Sequence, residues 1–216
     1  RRLTYMTDEL NTELIFFDVG GVLVSQRPDP REFASIIGLD DSAECVSLVD
    51  KAVWAHRDSY DEGMSDLDFW DSVSGDCGLP QPSEDQVHKL VIADASRMHA
   101  IDEAAAHLLS DLRSAGYHLG LLTNMPATHA SVVMESVWAQ RYINGPMIFS
   151  SHIGITKPNR AIYREALASA QREPQKLLYI DDRSEYVKAA EYLDIPALTW
   201  ENADTTREDL KKLGIL

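Results

Sequence analysis

Several polar residues stand where apolar runs end. Leu14–Phe17 runs into Asp18, HLGLLT ends at Thr123 with Asn124 beside it, and KLLYI runs into Asp181 and Asp182. Lys157 follows the short run MIFS by a few residues. Asp18, Asp181 and Asp182 are three carboxylates that would repel one another if brought together without a cation between them. Ligands that are all oxygen suit a hard ion, and Mg²⁺ is the usual choice beside phosphate. Lys157 can neutralise a bound anion or hold a neighbouring carboxylate ionised. Thr123 offers a hydroxyl, and Asn124 a backbone amide, to a phosphoryl oxygen. Asp18 is placed for in-line attack on phosphorus, which would form an aspartyl-phosphate.

These groups converge only if the runs are parallel strands of one sheet, because parallel strands share a carboxyl edge and open α/β sheets bind ligands there. Leu14–Phe17 reads as a buried strand, and Gly20 and Gly21 let the chain turn sharply after Asp18. From Asp102 onward strands and helices alternate. A helix over Glu103–Ser114 precedes HLGLLT, and one helix over Ala127–Gln140 leads to the strand MIFS. A helix over Asn159–Ala170 precedes KLLYI, and one over Ser184–Leu193 precedes ALTW. A last helix starts near Thr206. That alternation predicts an α/β fold with a parallel sheet and right-handed crossovers.

Residues 26–101 break the pattern. Asp29 with Pro30, Ser42, Ser65 and Ser83 each open an amphipathic helix, and no strand is evident among them. The expected organisation is an α/β core from residues 12–25 and 102–216, with residues 26–101 inserted after the first strand as a helical cap or lid.

Composition sets further bounds. Lys and Arg number 20 against 35 Asp and Glu, a formal net charge of -15. Such a surface repels nucleic acid and anionic membranes. It also repels phosphate at long range, so an anion site must be built locally. No apolar run reaches the roughly 20 residues of a membrane span. The opening RRLTYMTDEL has charge but no apolar core of a secretory signal, and Met6 is a candidate start, with residues 1–5 added or alternative. Cys45 and Cys77 lack metal-type spacing and read as two buried thiols of a cytoplasmic protein. Oligomeric state is not legible.

The four polar stretches resemble the motifs of the haloacid dehalogenase superfamily, in order and spacing: FFDVGGVL, LLTN, ITKPNRAIY and YIDDRSEYVKAA. YDEGMSDLDFW and LRSAGYHLGLLTN resemble the branch with glucose-1-phosphate phosphatase-like members. The resemblance implies a Rossmann-like core with Asp18 as nucleophile. It implies Mg²⁺ held by Asp18, the Gly20 carbonyl and Asp182, with Asp181 binding directly or through water. Thr123 and Asn124 would hold the phosphoryl group, and Lys157 would stabilise Asp18 and the transferring charge. The implied activity is Mg²⁺-dependent hydrolysis of a small phosphorylated metabolite, a sugar phosphate among the candidates.

One departure matters. Phosphatases of the family carry a second Asp two residues after the nucleophile, which protonates the leaving group; here that position is Gly20. General acid help is worth about 10²–10⁴-fold. Three explanations follow: a good leaving group such as a sugar 1-phosphate or acyl phosphate, a substitute donor with His56 and Arg57 as candidates, or a site that binds phosphate without turnover. A 2-haloacid dehalogenase also lacks the second Asp, but it uses no Mg²⁺ and needs no Asp181-Asp182 pair. Tyr186 stands where the family often has Asn or Asp. Trp54, Trp70 and Trp138 fall on apolar helix faces and read as core, with Tyr60 and Trp70 as secondary candidates for the pocket wall. The seven histidines read as structural or surface groups. Arg27 and Arg31 read as a solvated hinge with a possible second role as an anion clamp, and Arg183 as charge balance for the Asp pair.

Overall fold

A computed structural model describes residues 10–216; the candidate start at Met6 lies outside the described residues. Five parallel strands form one sheet: β1 (Leu14–Phe17), β2 (His118–Thr123), β3 (Met147–Phe149), β4 (Leu177–Asp181) and β5 (Ala197–Thr199). Their order is β3-β2-β1-β4-β5. The chain builds outward on one side of β1 and then returns to its other side. The β1/β4 boundary is therefore the switch point at which open α/β sheets form a crevice. Phe17 pairs in register with Leu121 of β2 and Ile180 of β4, so the three carboxyl ends are level.

β1 is apolar throughout because both its faces are covered. Ile15 and Phe17 join Leu119, Leu121, Leu178 and Ile180 in one core layer, under α5 (Glu103–Ser114), α6 (Ala127–Glu135), α7 (Val137–Tyr142) and α11 (Ala203–Lys212). Leu14 and Phe16 point the other way, toward α9 (Arg160–Ala170) and α10 (Ser184–Glu191).

Residues 30–99 are helical: α1 (Pro30–Ile37), α2 (Ala43–Asp61), α3 (Asp66–Asp76), α4 (Glu84–Ala95) and a 3₁₀ turn, Ser96–His99. The expected caps form. Asp29 accepts from the Arg31 amide, Ser42 from Cys45, Ser65 from Asp68, and Ser83 forms a capping box with Gln86. Phe33, Val53, Tyr60, Phe69, Trp70 and Leu90 close a core of their own.

Four expectations are corrected. The helix over Ala127–Gln140 is two helices, because Ser136 leaves helical geometry and caps α7 by accepting from the Ala139 amide. Ser150 does not end β3; it opens a one-turn helix, α8 (Ser150–Ile153). The last helix starts at Ala203, three residues before Thr206, because Asn202 caps it through the Thr205 amide. Cys45 and Cys77 are free but half-buried rather than buried. No described helix is long and apolar enough to cross a membrane.

Candidate active site

Asp18, Thr123 and Asp181 end or follow three adjacent strands, and Asp182 continues from β4. One oxygen from each of Asp18, Asp181 and Asp182 lies within 4.8 Å of the others. Lys157 Nζ sits among them, 3.0 Å from Asp18 Oδ1 and 2.7 Å from Asp181 Oδ2. It also donates to the Tyr179 hydroxyl at 3.0 Å and the Leu122 carbonyl at 3.2 Å. Lys157 is almost wholly buried. Burial works against its charge, yet Asp18 and Asp181 outweigh that and hold the ammonium above its usual value. Asp18 behaves in the opposite sense. Burial raises its carboxyl, Lys157 pulls it back, and Asp181 raises it again, leaving it above the ordinary carboxylate value.

Asp181 is engaged on both oxygens. Oδ1 accepts from the Arg183 amide at 2.8 Å, and Oδ2 takes Lys157 and the Tyr179 hydroxyl. Asp18 and Asp182 keep freer oxygens. An all-oxygen set of this kind suits a hard divalent ion, with Asp181 better placed to orient the set than to face the ion alone.

Thr123 is buried, and its Oγ1, though close enough to Asp18 to lower that carboxyl, makes no well-formed hydrogen bond within the protein. A buried hydroxyl beside Asp18 calls for an acceptor, as a phosphoryl oxygen would be. The Asn124 side chain is committed elsewhere: Oδ1 accepts from the Lys157 amide at 2.8 Å, and Nδ2 donates to the Lys157 carbonyl at 3.1 Å. It fixes the loop carrying Lys157, which leaves its backbone amide for an anion.

A cavity of about 400 Å³ opens over this floor. Asp18, Gly20, Gly21, Lys157 and Asp182 line its base, and Trp54, Arg57, Asp58, Asp61 and Arg97 come from the helical layer above. Several residues differ from their expected places. Trp54 is half-exposed and lines the cavity instead of the core. Trp70 is fully buried in the helical layer as expected, and Tyr60 with it, so neither takes the secondary place in the cavity wall. His56 turns away to pair with Asp76 at 2.9 Å. Arg57 does line the cavity, but its guanidinium binds Asp94 at 2.9 Å. Arg27 reaches the cavity wall. Arg183 donates to the Tyr186 hydroxyl at 2.8 Å and pairs with Glu185.

The ceiling holds a buried polar cluster around Asp94. Asp94 is fully buried, with Arg57 Nη2 at 2.9 Å, His129 Nε2 at 3.3 Å and Arg97 Nη2 at 3.7 Å. Burial raises its carboxyl, but Arg57, His129 and Arg97 outweigh that and hold it well below the usual range. Asp61, 8 % exposed, leaves Oδ1 buried without a partner. Burial pushes it up to about 7 against the pull of Arg57, with Asp58, Asp94 and Asp18 adding to the rise. A signal for the cluster exists in the sequence. The apolar stripe Val49, Val53 of α2 continues at the same spacing through Arg57 and Asp61, and Leu90 of α4 continues through Asp94 to Met98.

Comparison with known proteins agrees with this geometry. The family model for haloacid dehalogenase-like hydrolases matches residues 12–194. A chloroplast flavin mononucleotide hydrolase of Arabidopsis thaliana is 31% identical over 109 residues, which is 50% of this chain and 43% of that protein. The match thus spans less than half of the relative's length. Among solved structures, a HAD family enzyme of Bacteroides thetaiotaomicron in complex with magnesium and inorganic phosphate has a TM-score of 0.67 at 20% identity, covering 88% of this chain and 94% of that one. L-2-haloacid dehalogenase of Xanthobacter autotrophicus gives 0.61 at 13% identity, covering 95% and 84%. The shared sheet, the motifs in order and the matched length make this chain a member of the haloacid dehalogenase-like hydrolases.

Proposed function

We propose that the protein is a Mg²⁺-dependent phosphatase that hydrolyses a small phosphorylated metabolite through an aspartyl-phosphate on Asp18. The observation that carries this reading is the buried Lys157 ammonium shared by Asp18 and Asp181 inside a set of three converging carboxylates. A dehalogenase has no use for the Asp181-Asp182 pair, whereas phosphoryl transfer needs a concentrated positive field at the anion.

In this reading Asp18 attacks phosphorus in line. Lys157 holds Asp18 ionised despite its burial and faces the charge that develops on the transferring group. Thr123 Oγ1 and the Asn124 amide orient the phosphoryl oxygens. Asp18, Asp182 and the Gly20 carbonyl would hold Mg²⁺, with Asp181 behind them. The ion, when bound, supplies charge neutralisation at the phosphoryl oxygens. Residues 12–25 and 102–216 act as the catalytic core and residues 26–101 as a cap that excludes water and selects the substrate.

The test is phosphate release with Mg²⁺, and with chelator, across acyl phosphates, sugar 1-phosphates and primary alkyl phosphates. FMN, the substrate in the plant relative's name, belongs in the last group. Metal-dependent release from any class supports the reading. Absence of release, together with chloride release from 2-haloacids in chelator, would replace it with the dehalogenase. Tight phosphate binding without turnover would replace it with a phosphate-binding regulatory protein.

A further inference from the structure

We propose that Asp61, in the ceiling of the cavity, is the proton donor to the leaving group, the role for which Gly20 has no side chain. The proposal rests on the phosphatase reading above.

Asp61 lies at the last turn of α2 and lines the same cavity as Asp18, near enough for the Asp18 charge to act on it. Its position is fixed from the core. Ser150 Oγ donates to the Asp61 carbonyl at 2.6 Å and accepts from the Met125 amide at 2.9 Å, one residue from Asn124. The main chain at Asp61 is thereby tied to the loop that carries Asn124 and Met125. Next door, Thr156 Oγ1 donates to Glu62 at 3.2 Å, a second tie between the same turn and the Lys157 loop.

The cations of the ceiling gather on Asp94 rather than on Asp61, although Asp94 Oδ1 and the His129 ring nitrogens make no hydrogen bond. Asp94 takes the Arg57 guanidinium and draws Arg97 and His129. Asp61 is thus left without a cation of its own, in a setting that favours its neutral, proton-bearing form. His129 is almost wholly buried, and burial lowers its imidazole below the ordinary value against the pull of Asp94. His56 faces Asp76. Asp58 lines the cavity but is exposed.

The step balances. As Asp18 Oδ bonds to phosphorus, the bond from phosphorus to the ester oxygen breaks and its electron pair stays on that oxygen. The Asp61 proton passes to it, and the alcohol departs, leaving Asp61 as carboxylate. Water then attacks phosphorus, the bond to Asp18 breaks, and the proton lost by water returns to Asp61. The net reaction is ester plus water to alcohol plus phosphate.

The experiment compares wild type, Asp61→Asn and Asp61→Glu on substrates graded by leaving-group basicity, from acetyl phosphate to primary alkyl phosphates. In Asp61→Asn the expected loss of kcat grows with leaving-group basicity and reaches about 10²-fold or more for alkyl phosphates. Asp61→Glu recovers part of it. The double variant Gly20→Asp with Asp61→Asn recovers alkyl phosphate turnover, since a donor has been returned at the other position. A loss equal for every substrate would make Asp61 merely structural and overturn the proposal while leaving the phosphatase standing. An unchanged alkyl phosphate rate would do the same.

A wild-type measurement stands apart from any folding defect. The charges acting on Asp61 are Arg57 and Asp58 of its own helix, Asp94 and Arg97 across the layer, and Asp18 from the core, with His129 in the same cavity wall. The ratio of alkyl phosphate to acetyl phosphate kcat should fall as pH rises through 7, because only the first substrate needs the proton. A ratio flat between pH 5.5 and about 8.5 would overturn the proposal. Release from acetyl phosphate alone, with every ester inert, would overturn the proposal and leave the phosphatase reading standing, and a wild type inert toward the whole panel would overturn both.

Discussion

A Cβ atom on Gly21 would stand 2.5 Å from Oδ2 of Asp182. Gly21 also has a φ of +83°, where a side chain is strained. The turn after Asp18 and the turn after β4 are thus packed backbone against carboxylate, and glycine is what lets Asp182 face Asp18. Gly21→Ala should displace Asp182 and weaken Mg²⁺ activation by about 10–100-fold. A Mg²⁺ titration of phosphate release reads this directly, and an unchanged half-saturation would refute the packing argument.

Gly20, its neighbour, is different. A Cβ there meets nothing within 4 Å, and its backbone lies outside the left-handed region. The missing second Asp is therefore not a steric necessity. Gly20→Asp should fold with a thermal midpoint close to wild type. A drop of many degrees would show that the turn does require glycine.

The Asp94 cluster ties the helical layer to α6. Removing its charge with Asp94→Asn leaves Arg57 and Arg97 buried without their carboxylate. The expected cost is about 3–5 kcal/mol of stability, measured by urea unfolding at neutral pH. A loss under about 1 kcal/mol would mean that solvent already screens the cluster.

Asp61 gives stability a pH dependence of known sign. Burial raises its folded pKa to about 7, above an unfolded value near 3.9, so the folded state binds more protons between those limits. Its contribution is fully present below about pH 4 and is lost as pH rises toward 7. Asp61→Asn lacks this loss. It should gain stability relative to wild type as pH goes from 4 to 8, by on the order of a few kcal/mol. A stability difference independent of pH would contradict the buried, proton-bearing carboxyl.

The sheet was legible because its strands are short apolar runs with polar ends, and the caps at Asp29, Ser42, Ser65 and Ser83 were legible because capping depends on neighbours in sequence. The internal cap at Ser136 was readable in principle, but the apolar residues on either side of it keep a helical spacing and mask the break. The ceiling was not legible. Arg57 meets Asp94 across 37 residues, and Ser150 meets the Asp61 carbonyl across 89. Periodicity places Trp54, Tyr60 and Trp70 on helices but does not say which helix face another element covers. So Trp54, expected in the core, lies half-exposed in the cavity, whereas Trp70 is core as expected and the secondary pocket-wall role of Tyr60 and Trp70 is not seen.

The most direct test of the central claim is Asp18→Asn, assayed beside wild type for Mg²⁺-dependent phosphate release from the best substrate of the panel. Asn preserves shape and the Lys157 contact geometry but cannot form the acyl-phosphate. The account predicts release by wild type that chelator abolishes, and none from the variant, with its fold intact by thermal unfolding. A folded Asp18→Asn that turns over at near wild-type rate would contradict the nucleophile assignment and the mechanism built on it.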